Sequence, residues 1–180
     1  MKKILLTLTL MLSLLTSFAA EGGDAPTRAR SFAWGADVGS SIDLDSDNMT
    51  TLNLEAYFGY RNSWIDILGV GAGIDMMISN SNRYFPVYAI FRSSFRSRPS
   101  LCFFDLRVGT AINELSDNTK QTRFYINPSL GFNLARSKTF TSYISVGYTY
   151  NGLKSFGPAD DPTEISHGLN MANLRIGICF

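Results

Sequence analysis

Asn173–Phe180 reads NLRIGICF, and its alternation sets Leu174, Ile176, Ile178 and Phe180 on one side of an extended chain and Arg175 and Gly177 on the other. Chain ends are ordinarily polar and frayed unless something ties them down. A last strand with one wholly apolar side therefore needs apolar surroundings, and the rest of the sequence has to supply them.

The same period of two runs through seven earlier segments. They span roughly 32–42, 51–61, 68–79, 84–95, 101–113, 121–134 and 139–150, with the eighth at 167–180. Turn-forming stretches separate them: DLDSDN, RNSWID, SNSN, RSRPS, ELSDNTK, ARSK and NGLKSFGPADDPTEIS. The segments are long for a soluble sheet but suit a tilted membrane-crossing strand of about 9 to 11 residues. One side of them is apolar throughout, as in Leu52, Leu54, Ala56, Phe58 and Tyr60. The other is small or polar, with Gly35, Gly59, Gly69, Gly71, Gly73, Gly109, Gly131, Gly147 and Gly177 among its members.

A water-soluble barrel would turn the apolar side inward and clothe the other in lysine and glutamate. Here the polar side has no lysine: Lys120, Lys138 and Lys154, the lysines beyond the first three residues, all fall in expected turns or loops. Glycine weakens an ordinary strand, so its recurrence asks for a spatial reason. A closed ring of eight strands gives one, because its interior is just wide enough to be filled by side chains. The energies agree: with the register reversed, Arg92, Arg107, Arg123 and Arg175 would face hydrocarbon at about 2–4 kcal/mol each. That sum rivals the roughly 5–15 kcal/mol that stabilises a typical fold. Closure follows because an open edge in lipid leaves backbone groups without partners. The expected fold is all-β, a transmembrane eight-stranded antiparallel up-and-down β-barrel.

At the other end, MKKILLTLTLMLSLLTSFAA combines Lys2 and Lys3, an apolar run from Ile4 to Leu15 and small residues before EGGD. This is the pattern of a secretory signal peptide, with cleavage expected after Ala19, giving a leader at 1–19 and a single barrel domain at 20–180. Without Lys2 and Lys3 the 16 basic residues become 14 against 15 acidic ones. Such balance gives no support to a nucleic-acid partner, which would want a basic stripe. Cys102 and Cys179 are too far apart for a metal motif and too few for a disulfide scaffold, and both read as packed thiols.

These residues together resemble the small eight-stranded outer-membrane barrels of the OmpA transmembrane domain and OmpX kind. The resemblance covers the mature chain and rests on the leader, the eight alternating segments and the closing LRIGICF with its terminal Phe. It implies localisation to the cell outer membrane and chain ends on the periplasmic side. It also implies short periplasmic turns at 61–66, 96–100 and 135–138, and external loops at 43–50, 80–83, 114–120 and 151–166. By the same resemblance, Phe180, Ile178 and Ile176 form the membrane-insertion signal read by barrel-assembly machinery. Phe180 then joins Phe32, Trp34, Phe58, Tyr60 and Phe132 in an aromatic girdle at one rim. Pro86 and Pro128 lie inside strands, and each implies a bulge or a missing ladder bond.

The candidate site is the charge set on the inner face: Asp37, Glu55, Asp75 and Asp105 with Arg92, Arg107, Arg123 and Arg175. Its formal sum is zero. It could line a narrow ion path or form a salt-bridged plug, and the plug is the preferred reading. Strand adjacency suggests Asp37 with Arg175 across the closing seam and Arg92 with Asp105. Asp43, Asp45 and Asp47 alternate as in a calcium loop, but Asn48 stands where the loop needs Gly and Leu54 where it needs Glu. Asp160, Asp161 and Glu164 form a second acidic patch that could meet divalent cations bridging lipopolysaccharide.

Catalysis finds little purchase. Barrel lipid A deacylases use His and Ser two apart on one strand face; His167 has Leu169 at that spacing, and Ser166 is adjacent to it. EGGDAPTRARS is too short for the amphipathic helix of barrel acyltransferases. The expectation is a monomeric, non-enzymatic outer-membrane barrel without cofactor, in contact with outer-membrane lipid and lipopolysaccharide. Its expected role is structural in the envelope, with surface interactions through external loops. A narrow passive pore is the alternative and a lipid A-modifying enzyme the third reading.

Overall fold

The computed structural model describes residues 31–45, 50–62, 64–78, 82–95, 101–114, 120–137, 139–153, 155–156, 163–164 and 168–180. The leader, its cleavage point, Asp47, Asp160, Asp161 and His167 lie outside the described residues. The strands are β1 (Ser31–Asp43), β2 (Thr51–Arg61), β3 (Ile67–Met77), β4 (Arg83–Ser94), β5 (Cys102–Glu114), β6 (Lys120–Arg136), β7 (Thr141–Asn151), β8 (Ser155–Phe156), β9 (Thr163–Glu164) and β10 (Leu169–Cys179). All but β8 and β9 join in one closed barrel, each pairing antiparallel with its neighbours, and β10 returns to β1 to seal the ring. β8 and β9 make a small separate ladder between β7 and β10.

Register fixes the shape. Direct partners followed round the wall from Trp34 run through Phe58, Val70, Ala89, Val108, Ile126, Tyr150 and Asn170. The Asn170 carbonyl accepts a hydrogen bond from Leu44 N at 2.9 Å. The circuit thus returns to β1 ten residues above its start (44 minus 34), a shear that tilts the strands to the roughly 35–45° of closed barrels. One end carries Ser31, Phe180 and the turns after β2, β4 and β6; the other carries the connections after β1, β3, β5 and β7.

Alternation is strict in β2, where every second residue from Thr51 to Arg61 is buried. The buried set is Thr51, Asn53, Glu55, Tyr57, Gly59 and Arg61, so the polar side faces inward. Leu52, Leu54, Phe58 and Tyr60 are exposed, and the same belt continues through Trp34, Val70, Val87, Phe124, Leu130, Val146, Leu174 and Ile178. In water such a continuous apolar wall would be untenable; against hydrocarbon it is the solvated surface.

Both prolines leave a gap in the ladder rather than a bulge. β3 and β4 pair at Ala72↔Val87 and again at Asp75↔Tyr84, skipping Pro86 in unchanged register. β6 and β7 pair at Ile126↔Tyr150 and at Ser129↔Gly147, skipping Pro128. Each proline has no N–H to give on that side, and the pairing resumes beyond it in the same register. The irregularity sits elsewhere, between Asn133 and Ala135, where Leu134 is the extra residue near the end of β6. At the start of β10, Gly168 takes φ of 75° and turns the chain into the barrel, a conformation that favours glycine.

Candidate functional site

The middle of the lumen is organised by Arg107 of β5, wholly buried. Its Nη2 donates to Asp37 Oδ2 at 2.6 Å, its Nη1 to Glu55 Oε2 at 2.5 Å, and its Nε to Asp105 Oδ1 at 3.0 Å. Tyr88 Oη lies 3.2 Å from Nη1. Arg92 of β4 closes the next layer, with Nε and Nη2 on Asp105 Oδ2 at 2.8 and 2.6 Å and Nη1 on Tyr57 Oη at 3.1 Å. Tyr143 donates to Asp37 Oδ2 at 2.8 Å, and its hydroxyl lies 2.9 Å from that of Tyr57. Three carboxylates and two guanidinium groups are thereby locked in one network that removes the cost of burying each alone.

Arg175 completes the neutral set from β10. It lies 3.7 Å from Glu55 and donates through Nη2 to Asn127 Oδ1 at 2.9 Å and to Ser129 Oγ. The pairing with Asp37 expected from strand adjacency does not form. β1 and β10 set Arg175 beside Gly39 while Asp37 faces Gly177, and the forked Arg107 reaches Asp37 from across the lumen. Arg92 and Asp105, directly paired across β4 and β5, meet at 2.6 Å.

Two members of the charge set stand apart. Asp75 is buried but joins no ion pair among the described residues; it bonds to the Asn53 side chain, and its Oδ1 has no partner. Arg123 is half-buried, reaches Gln121 Oε1 at 3.4 Å, and its Nε is likewise without a partner. A neutral set joins Arg175 through Asn127: Thr149 Oγ1 accepts from Asn127 and Asn173 at 2.6 and 2.8 Å. Above it Met77, Tyr84, Leu153, Leu169 and Met171 form an apolar cap.

The inner face is not simply small and charged, because, besides Tyr84 in the cap, five aromatic side chains also point inward: Tyr57, Tyr88, Phe103, Tyr125 and Tyr143. Each stands directly opposite a glycine on the neighbouring strand, at Gly35↔Tyr57, Gly71↔Tyr88, Gly109↔Tyr125, Phe103↔Gly131 and Tyr143↔Gly177. A Cβ added at Gly71 would come within 2.5 Å of the Tyr88 ring, and one at Gly177 within 2.5 Å of Tyr143. Gly35, Gly71, Gly131 and Gly177 therefore make room for rings laid across the neighbouring strand, and Gly39 and Gly73 for the stems of Arg175 and Glu55. Those rings in turn cover the guanidinium groups: Arg92 lies 4.3 Å from the Tyr143 centroid and 4.5 Å from that of Phe103. Sequence polarity hides these residues, but their parity with the inward glycines marks them.

At the rim beside Ser31, the Trp34 and Phe180 rings stack at 4.3 Å and the Phe32 and Phe58 centroids lie 5.9 Å apart. Tyr60 and Phe132 are exposed on the same outer wall, as is Ile178, while Ile176 is half-buried. Phe180 N donates to Trp34 O at 2.8 Å, so the terminal residue is fixed by backbone as well as by ring. Cys102 and Cys179 form no disulfide. Among the described residues no group of three or more His, Cys, Asp or Glu is placed to hold a metal.

No protein-family model matches the chain, and no curated protein matches it. Among solved structures, Neisserial surface protein A is similar over 84% of this chain and 98% of its own, at 15% identity and a TM-score of 0.55. The N-terminal β-barrel domain of Pseudomonas aeruginosa OprF is similar over 84% of this chain and 100% of its own, at 12% identity and a TM-score of 0.51. At such identities the likeness is one of fold, and it agrees with the apolar wall and the register: the chain has the fold of the small eight-stranded outer-membrane β-barrels.

Proposed function

We propose that the chain is a non-enzymatic barrel of a Gram-negative-type outer membrane, secreted through its leader, with a structural role in the envelope. Phe180, Ile178 and Ile176 serve as the signal for barrel-assembly machinery, and the wall meets lipid and lipopolysaccharide. The end with Ser31 and Phe180 faces the periplasm, and the connections after β1, β3, β5 and β7 face outward for surface contacts. The observation that carries this reading is Arg107 satisfied by Asp37 and Glu55 across the lumen and by Asp105 on its own strand, a plug rather than a passage. The purified protein in planar bilayers is expected to show no discrete conductance, and incubation with lipid A to release or transfer no acyl chain. Steady single-channel steps would sink the plug, and acyl release would sink the non-enzymatic reading. Loss of the protein from its cell is expected to raise sensitivity to detergents, reversed by restoring it; unchanged sensitivity counts against the envelope role.

A narrow passive pore is the second reading. It is favoured by polar atoms without partners along the lumen, Asp75 Oδ1, Tyr84 Oη, Asn173 Oδ1 and Arg175 Nε, since such groups are ordinarily met by water.

A further inference from the structure

We propose that Asp75 and Tyr84 hold a monovalent alkali cation inside the lumen, at the base of the apolar cap. This inference is independent of the envelope role. Asp75 on β3 and Tyr84 on β4 are direct partners across the ladder. Both side chains are enclosed, at 2% and 0% exposure. Asp75 Oδ1 and Tyr84 Oη are each buried without a hydrogen-bond partner, so the two oxygens do not bond to one another. On the other side of Asp75, its direct partner Asn53 bonds to the carboxylate, and the Asn53 carbonyl oxygen is taken by Ser41 Oγ at 2.9 Å. The carboxylate therefore has one oxygen presented toward the Tyr84 hydroxyl with nothing between them.

Charge decides what belongs there. Arg92, Arg107 and Arg175 each lie within 4 Å of a carboxylate, and Asp37, Glu55 and Asp105 match them in number, so the middle of the lumen is neutral without Asp75. Asp75 adds one negative charge and joins no ion pair among the described residues. Arg107 and Arg175 act on it only from beyond ion-pair distance, and Glu55 acts against them. Arg123, the remaining base of the inner face, reaches Gln121 instead. Asp43 adds to the negative potential at the Tyr84 hydroxyl. Water satisfies the hydrogen bonding of two such oxygens but brings no charge, and an unpaired buried charge is costly. A metal ion of the hard, oxygen-binding class meets both needs, and one uncompensated carboxylate calls for a single positive charge. Among the described residues no group of three or more His, Cys, Asp or Glu is assembled as a divalent site would want.

The test compares the full chain folded into lipid vesicles in choline chloride and in sodium chloride at equal ionic strength. Sodium is expected to raise the urea midpoint for unfolding, because a ligand of the folded state alone stabilises it by mass action. The rise should persist in Glu114→Gln, which removes a carboxylate at the last residue of β5, and vanish in Asp75→Asn. No rise with the native chain, or an equal rise with Asp75→Asn, would overturn the assignment. Infrared absorption separates a metal ion from a proton: a protonated-acid carbonyl band in sodium chloride that Asp75→Asn removes would overturn it too. Should Asp75→Asn fail to fold, crystals of the native chain grown in rubidium chloride decide it. An anomalous peak in contact with Asp75 Oδ1 and Tyr84 Oη is expected, and its absence refutes the site.

Discussion

Arg107 illustrates how one side chain can hold three others in place. Its truncation to Ala would leave Asp37, Glu55 and Asp105 facing one another in a space closed to bulk water. The expected loss is about 3–5 kcal/mol, read as a lower urea midpoint for unfolding from lipid vesicles. Arg107→Lys should recover only part of that, because an ammonium is a point charge and cannot fork between three carboxylates. A midpoint unchanged by Arg107→Ala would mean that the acids do not depend on it. Gly71→Val tests the other half of the interior, the rings laid over glycines. The Tyr88 ring occupies the position of the new Cβ, so about 1–3 kcal/mol should be lost to overpacking, with a changed near-ultraviolet tyrosine signal as Tyr88 leaves Arg107. An unaltered signal would show that the ring does not lie across Gly71.

Among the strands, the seam between β1 and β10 is where sequence and structure meet most directly. Phe180 contributes a ring stacked on Trp34 and a backbone N–H given to the Trp34 carbonyl, and these can be separated. Phe180→Ala removes only the ring, worth about 0.5–1.5 kcal/mol beyond its burial, and should slow refolding into vesicles modestly, as followed by gel mobility before boiling. Deleting Phe180 removes the hydrogen bond as well and should slow it further; equal rates for the two variants would show that the backbone bond adds nothing. The strands themselves were legible because a bilayer outside and a filled lumen inside impose opposite chemistry on alternate residues. Residues 51–61 read as one strand in the sequence and form β2 with those limits. Less legible was what crosses the lumen. Adjacency on the wall reports which backbones meet, and so pointed Asp37 toward Arg175, whereas a guanidinium on a long stem reaches the far wall, as Arg107 does. The inner tyrosines were obscured for a related reason. Tyrosine suits a membrane boundary as well as an interior, so residue type did not separate Tyr57 from Tyr60, although their positions of opposite parity did.

Taken as one body, the barrel carries its obstructions in series along the axis. Met77, Tyr84, Leu153, Leu169 and Met171 cap the end away from Phe180, and the Arg107 network with its tyrosines fills the middle. Resistances in series add, so opening one of them leaves the path shut. Leu153→Ala with Met171→Ala truncates two of the five cap side chains while leaving Arg107 and its three carboxylates in place, and this variant should remain silent in planar bilayers. Arg107→Ala with Tyr143→Ala clears the middle, since Tyr143 lies against Gly177 and bonds to Asp37, yet the intact cap should keep it silent too. Only the combination of all four substitutions is expected to give discrete conductance, an ordering that a preformed channel would not produce. Conductance from the cap variant alone would mean that ions already pass the Arg107 network, and the pore would then replace the plug. Heat-modifiable gel mobility of each variant shows beforehand that the barrel has closed, so that silence reports a blocked lumen and not an unfolded chain.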